Sequence, residues 1–403
     1  MQKKLIPCAL TLALVSAFAH AESAKRYIVQ YHDTAVQSPL RAEAATAAAA
    51  DARVAANVQA WGYVDSRVMA KTQELESRHG VKAKTAFSHT IKGFSAALTP
   101  AQVVALQADP SVASVEEDLP VKVNAQTIPW GITHTQATVS STLAGNGAGA
   151  VTGSYVYVID TGIATHTDLN LIKHVNMTTD GKNYDCHGHG THVAGTIGAK
   201  DNTGYVVGMA PGVKLTGVKV LGCTGGGYTS DVIKGVDWVT ANAVKPAVAN
   251  MSVGGGLSTT LNAAIQKSVT AGVFYAIAAG NDIKQDACNY SPASAGYGLN
   301  GAITVGAFDN TGTEAWFSNI GKCVEIYAPG VGVLSTYLNS GTTTMDGTSM
   351  ATPHVAGAAA LYRSRYPTAT PATVEAALKN TAVSTGKYSQ SGALIKSVNV
   401  KTF

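Results

Sequence analysis

Charge is scarce in this chain. Asp, Glu, Lys and Arg make up 13% of the 403 residues and leave a formal net charge of +4. No run of Lys or Arg forms the basic stripe that a nucleic-acid partner requires, so no such partner is expected. Low charge together with 41 glycines excludes a disordered composition and suits a compact, loop-rich chain. Long apolar runs are missing beyond the first twenty residues, because glycine and polar residues interrupt every one, and no membrane association is expected. The N-terminus is the exception. Lys3 and Lys4, the apolar stretch 5–18 and Ala19-His20-Ala21 read as a secretory signal peptide over residues 1–21, too short and too early for a span. A secreted monomer is the expected product.

Cysteine is rare too. Cys8 leaves with the signal, which leaves Cys186, Cys223, Cys288 and Cys323, an even number in an exported chain. Two disulfides are expected, with three pairings open. Proximity in sequence favours Cys186 with Cys223 and Cys288 with Cys323.

The length exceeds one average domain, and the patterning changes near residue 125. Residues 22–124 contain an alternating strand at 27–31 and Ala-rich, helix-forming sequence over 41–79. A hairpin pattern over 84–98, a helix opened by Thr99-Pro100 and a strand at 112–116 complete the unit. The order strand-helix-strand-strand-helix-strand predicts a small α+β unit, ferredoxin-like in type. In residues 125–403, near-continuous apolar strands (155–159, 214–221, 247–253, 273–279, 302–307, 324–327) alternate with helices (192–199, 230–241, 259–271, 352–365, 371–380). Strands apolar on both faces predict an α/β fold, a mostly parallel sheet with helices on both faces. Ligand sites in such sheets lie at the carboxyl ends of the strands.

The chemically suggestive residues fall there. Asp160 ends the first of these strands, where a buried carboxylate needs a partner. His189 lies in His187-Gly188-His189-Gly190-Thr191-His192 at a helix start. Asn281 follows Ala278-Ala279-Gly280 at another strand end. Ser349 lies in Asp346-Gly347-Thr348-Ser349-Met350-Ala351-Thr352-Pro353-His354, just before a small-apolar helix pattern. A helix start presents unpaired N–H groups and favours negative charge. Each residue has a plainer reading alone: a cap for Asp160 and Ser349, a packed histidine for His192, a turn for Asn281. Together they supply an orienting acid, a base, a nucleophile and an oxyanion donor, with the Ser349 N–H as second donor.

The segments Val158-Ile159-Asp160-Thr161-Gly162, His189-Gly190-Thr191-His192-Val193-Ala194-Gly195, Ala279-Gly280-Asn281 and Gly347-Thr348-Ser349-Met350-Ala351-Thr352-Pro353-His354 resemble the subtilase family. The order Asp, His, Ser is the subtilisin order, and the likeness runs from about residue 130 to about residue 380. It is closest to the proteinase K branch and its aqualysin-like exported bacterial enzymes. The resemblance implies a secreted serine endopeptidase with catalytic Asp160, His189, Ser349 and Asn281, acting on proteins and peptides without a catalytic cofactor. It implies that Gly225-Gly226-Gly227-Tyr228 and Ser252-Val253-Gly254-Gly255 flank an extended substrate as an added strand. Ser252, Val253, Gly254, Ala278, Ala279 and Gly280 would wall the primary pocket, small and uncharged, which suits aromatic or aliphatic residues before the cut. Residues 22–124 resemble the family's propeptide, an intramolecular chaperone and inhibitor removed between about 122 and 128. The four cysteines fall where that subgroup places two disulfides, which supports the sequential pairing.

Structural calcium is an open expectation. Glu325 stands at a position where relatives carry a calcium ligand, with residues 295–301 replacing the carbonyl-bearing loop. No Asp or Glu occurs between Leu119 and Ile159, so the N-terminal calcium loop of some relatives cannot be carried over. Two rival readings remain. His187, His189 and His192 have the spacing of the first zinc-ligand run of metallo-β-lactamase-like hydrolases, although Thr191 stands where that motif has an Asp. The other rival is a catalytically silent secreted peptide-binding protein.

Overall fold

A computed structural model describes residues 24–36, 64–119 and 126–403. The signal peptide at 1–21, the Ala-rich sequence at 41–63 and the processing span before residue 126 lie outside the described residues. The chain divides into two compact units, residues 1–121 and 122–403.

The first unit is built from β1 (Lys25–Tyr31), α1 (Ser66–His79), β2 (Ala83–Phe87), β3 (Gly93–Leu98), α2 (Pro100–Gln107) and β4 (Val112–Glu117). Its sheet runs β2-β3-β1-β4 with every pairing antiparallel, the ferredoxin-like arrangement. The start of α2 follows from its sequence. Thr99 Oγ1 accepts the Gln102 N–H, the Gln102 side chain accepts the Thr99 N–H at 2.9 Å, and Pro100 opens the helix. Val29, Phe94 and Leu98 on the sheet bury against Leu75 and Leu106 on the helices.

The second unit begins with α3 (Trp130–His134), then β5 (Tyr155–Asp160), β6 (Leu171–Asn176), α4 (His189–Gly198), β7 (Lys214–Lys219), α5 (Thr229–Asn242) and β8 (Ala247–Met251). There follow β9 (Gly255–Gly256), α6 (Thr259–Thr270), β10 (Val273–Ala278), β11 (Tyr290–Ser291), α7 (Ala293–Gly296) and β12 (Ala302–Phe308). The chain ends with β13 (Ile326–Pro329), the hairpin β14 (Val333–Tyr337) and β15 (Gly341–Met345), α8 (Thr348–Arg365), α9 (Pro371–Thr381), β16 (Val383–Tyr388) and β17 (Leu394–Ser397). One 9-stranded sheet runs β16-β17-β13-β12-β10-β8-β5-β7-β6, parallel throughout except at β16-β17.

Strand order positions the site. From β5 the chain adds β6 and β7 on one side of the sheet, then crosses to add β8, β10, β12 and β13 on the other. The loops after β5 and β8 therefore diverge and open a crevice at their carboxyl ends. Strands β8, β10 and β12 are buried along their whole lengths, as expected for a sheet covered on both faces. Helix α8 is buried almost all round, which explains its small-apolar composition. A Cβ at Gly357 would stand 2.4 Å from Met209 Cβ, so this central helix tolerates little more than glycine there.

The disulfides join Cys186 to Cys223 and Cys288 to Cys323, over sequence separations of 37 and 35. Loops of this length contribute about 4 kcal/mol each through restriction of the unfolded chain. Among the described residues no helix is long and apolar enough to cross a membrane.

Candidate active site

Strand β5 delivers Asp160, fully buried, to the floor of the crevice. Thr161 N–H donates to its Oδ1 at 2.7 Å, and the same oxygen accepts from His189 Nδ1 at 2.7 Å. A carboxylate only accepts, so Nδ1 carries the proton and Nε2 of the neutral ring is left as a base. Burial works against the imidazolium. The Asp160 charge and hydrogen bond outweigh it, with a further contribution from Asp185, so His189 titrates above the ordinary histidine value.

Ser349 sits in the first turn of α8, where backbone N–H groups have no partner within the helix. Pro353 shapes this turn. It has no N–H with which to satisfy the Ser349 carbonyl, and that oxygen instead accepts from Ser252 Oγ at 2.9 Å. Asn250 Nδ2 donates in turn to Ser252 Oγ at 2.9 Å. The Ser349 hydroxyl donates to the Ser252 carbonyl at 3.1 Å rather than to His189. The link between serine and histidine is thus open in this structure. Such bonds commonly close only with substrate.

Asn281 is oriented by its other end. Thr348 donates to Asn281 Oδ1 from both its N–H and its hydroxyl, each at 2.9 Å, which identifies the oxygen and leaves the NH₂ free to donate outward. Gly347 has φ 151°, and a Cβ there would stand 3.5 Å from both Asn281 Nδ2 and the Ser349 nitrogen. The two donors therefore converge on one small space, and glycine keeps it open.

Two cavities adjoin these groups. The larger, about 500 Å³, is lined by Gly225, Gly226, Gly227 and Tyr228 on one side, Ser252, Val253 and Gly254 on the other, and His187 and His189. The second, about 360 Å³, shares Ser252, Val253 and Gly254 and adds Ala278, Ala279, Gly280, Asn281 and Ser349. All ten of the expected substrate-side residues line one or both. Asp282, which the sequence reading missed, also lines the second cavity; its Oδ2 accepts from Asn319 Nδ2 at 3.1 Å. A carboxylate one residue past Asn281 was visible in the sequence, but nothing there indicated that it faces the cavity.

Residues 152–397 match the model of the subtilase family, and residues 26–124 match that of peptidase inhibitor I9. The chain belongs to the subtilase family. It is 43% identical over 328 residues to the extracellular serine proteinase of Thermus sp. (strain Rt41A), covering 77% of this chain and 77% of that protein. It is 42% identical over 328 residues to the alkaline serine exoprotease A of Vibrio alginolyticus, covering 78% of this chain but only 59% of that longer protein. A solved cold-adapted subtilisin-like serine proteinase superposes with a TM-score of 0.59 at 38% identity, covering 69% of this chain and 99% of that one. The chain is a subtilisin-like serine protease with an I9-type propeptide.

For this subtilase the zinc reading is corrected by geometry. His192 is fully buried, and its Nε2 donates to the carbonyls of Val333 and Thr343 at 3.0 and 3.1 Å. Burial pushes its titration down to about 4. His189 Nδ1 is committed to Asp160, so the three imidazoles do not converge on one point. Among the described residues the group closest to a cation cluster is Asp180 with Cys186 and Cys223, whose sulfurs are already joined.

Glu325 does not fit a calcium site either. Its Oε1 accepts from Lys379 Nζ at 2.7 Å, its Oε2 accepts the Thr304 N–H at 3.2 Å, and Glu375 closes on the same ammonium. A calcium ion needs converging oxygens; here an ammonium stands beside the carboxylates. Near the N-terminal loop, Asp201 is likewise surrounded by donors, accepting from the N–H groups of Gly145, Gly147 and Gly149, each at 2.9 Å. Glu325→Gln is expected to lower stability by about 1–2 kcal/mol, tempered because Lys379 is partly exposed and keeps Glu375. The loss of melting temperature should be equal in calcium and in EDTA. A loss confined to calcium-containing buffer would restore the cation site.

Proposed function

We propose that this chain is a secreted, self-maturing serine endopeptidase with Ser349 as nucleophile and His189 as general base and then general acid. The observation that carries this reading is the buried hydrogen bond, 2.7 Å long, from His189 Nδ1 to Asp160 Oδ1, with His189 on one cavity and Ser349 on the neighbouring cavity that shares Ser252, Val253 and Gly254 with it. Asp160 holds the tautomer and stabilises the imidazolium. His189 Nε2 takes the Ser349 proton as Oγ attacks the scissile carbonyl, and returns it to the leaving amine. Asn281 Nδ2 and the Ser349 N–H hold the developing oxyanion. Water repeats the sequence on the acyl-enzyme. The I9-type segment restrains the enzyme until it is cut away, and the likeness to an extracellular serine proteinase and an alkaline serine exoprotease supports export.

The substrate lies extended between the segments 225–228 and 252–255, with the side chain before the cut in the second cavity. Its walls at Ser252, Val253, Gly254, Ala278, Ala279 and Gly280 are small and uncharged, and the Asp282 carboxylate already accepts from Asn319. Cleavage after aromatic and aliphatic residues is therefore expected from a peptide-library profile, and a dominant preference for Lys or Arg would refute the pocket assignment. Because His189 must be neutral to accept a proton, and its titration is raised, kcat/KM should climb with pH through a midpoint above the ordinary histidine value. A midpoint below that value would contradict the Asp160 pairing.

Casein hydrolysis by the processed protein, alone and with phenylmethylsulfonyl fluoride or a chelator, tests the reading as a whole. Inhibition by the serine reagent supports it. Inhibition by the chelator alone would return the zinc hydrolase, and no hydrolysis would leave the silent peptide binder.

A further inference from the structure

Asp185 is 2% exposed and lies in the loop between β6 and α4, four residues before His189. Five hydrogen bonds converge on its carboxylate. Oδ1 accepts from Thr161 Oγ1 and from the N–H groups of His187 and Gly188, each at 2.9 Å; Oδ2 accepts from Thr191 N–H at 3.0 Å and Thr191 Oγ1 at 2.6 Å. The hydroxyl roles are fixed. Thr161 Oγ1 already accepts the Gly190 N–H, and Thr191 Oγ1 already accepts the Ala164 N–H, each at 2.9 Å, so both donate to Asp185.

These contacts do what the helix cannot do alone. Helix α4 starts after Gly188, which has no side chain to cap it. The N–H groups of Gly190 and Thr191 are satisfied instead by Thr161 Oγ1 and Asp185, which ties the start of α4 to the turn that follows Asp160. The fit is tight, since a Cβ at Gly190 would stand 2.1 Å from the Gly162 carbonyl oxygen.

We propose that Asp185 is a positioning residue for His189, a second buried carboxylate that locks the base-bearing helix onto the Asp160 turn and adds negative charge beside the imidazolium. The inference rests on the proposed role of His189 as base. The titratable and charged groups around that ring are Asp160 on β5, Asp185 and His187 on the preceding loop, and His192 on α4, with Lys219 at the end of β7 set against the Thr161 carbonyl. The Lys219 ammonium donates to the Thr161 carbonyl and pairs with Asp180 at 3.2 Å. Asp160 and Asp185 are the two that raise the titration of His189.

Asp185→Asn, Asp185→Glu and Thr191→Val are made in the full chain and assayed after processing on a chromogenic peptide across pH. For Asp185→Asn, kcat is expected to fall about 10–100-fold with KM little changed. The acid limb of the profile should move to lower pH, because a charge favouring the imidazolium is gone. Asp185→Glu should bring the limb back while kcat stays depressed. A wild-type kcat in Asp185→Asn, or a reduced kcat on an unmoved limb, would overturn the proposal. If Asp185→Asn does not fold, Thr191→Val decides. It deletes the shortest donor and keeps the charge, so kcat should fall several-fold on an unmoved limb, and a wild-type kcat overturns the proposal. A wild-type enzyme indifferent to the serine reagent is a separate result, which sinks the proposed function and this inference with it.

Discussion

Ser349→Ala is expected to lower turnover by about 10⁶-fold, the loss seen when subtilisin is deprived of its serine, and to leave the precursor uncut. The size follows from chemistry. Without Oγ there is no acyl-enzyme, and what survives is the oxyanion site and binding, worth about 10³–10⁴ over water. The fold should survive. Alanine loses the hydrogen bond from Oγ to the Ser252 carbonyl, worth about 1 kcal/mol, but the Ser252 Oγ to Ser349 carbonyl bond and the helix start set by Gly347 and Pro353 remain. Activity is read on a chromogenic peptide and processing on a denaturing gel, with thermal melting as the control. A trace of wild-type enzyme added to the variant separates the two failures. A folded precursor should then be cut in trans, whereas self-processing by Ser349→Ala alone would remove the serine from the mechanism.

Much of the architecture was legible because its signals are local. The Thr99-Pro100 start of α2 and the continuous apolar runs of β5, β8, β10 and β12 follow from short-range sequence. The starts of α4 and α8 were read too late, at His192 and Thr352 instead of His189 and Thr348. Their first turns hold Gly190 and Ser349, residues suited to chemistry rather than to helix propensity. Strands β6, β14, β15, β16 and β17 were missed, being largely polar or partly exposed, with no apolar alternation to announce them. Within the candidate site, Asp160, His189, Asn281 and Ser349 were singled out through motifs. Asp185 and Lys219 were not, because a buried charge is recognisable only through partners distant in sequence. Glu325 was misread for the same reason: Lys379, its ammonium partner, lies 54 residues away.

Asp160→Asn is expected to cost about 10⁴-fold in kcat, less than loss of the nucleophile, as for the equivalent acid in subtilisin and trypsin. An amide cannot reproduce what the carboxylate does. If its oxygen takes the place of Oδ1, it still accepts from Thr161 N–H and His189 Nδ1, but it offers no charge to the imidazolium. Its NH₂ then falls where Oδ2 lies, buried and without a hydrogen-bond partner among the described residues, leaving donors unsatisfied. If instead the NH₂ takes the place of Oδ1, it faces the Thr161 N–H and drives His189 to accept at Nδ1. The proton then sits on Nε2, and the ring cannot take one from Ser349. Both orientations weaken the base while leaving Ser349, Asn281 and the cavities in place, so kcat should fall with KM nearly unchanged. The residual activity should also persist to lower pH than in the wild type, because removing the negative charge lowers the titration of His189. A variant within tenfold of wild-type kcat, or one whose acid limb does not move down, would mean that the 2.7 Å bond is not the orienting contact of the reaction.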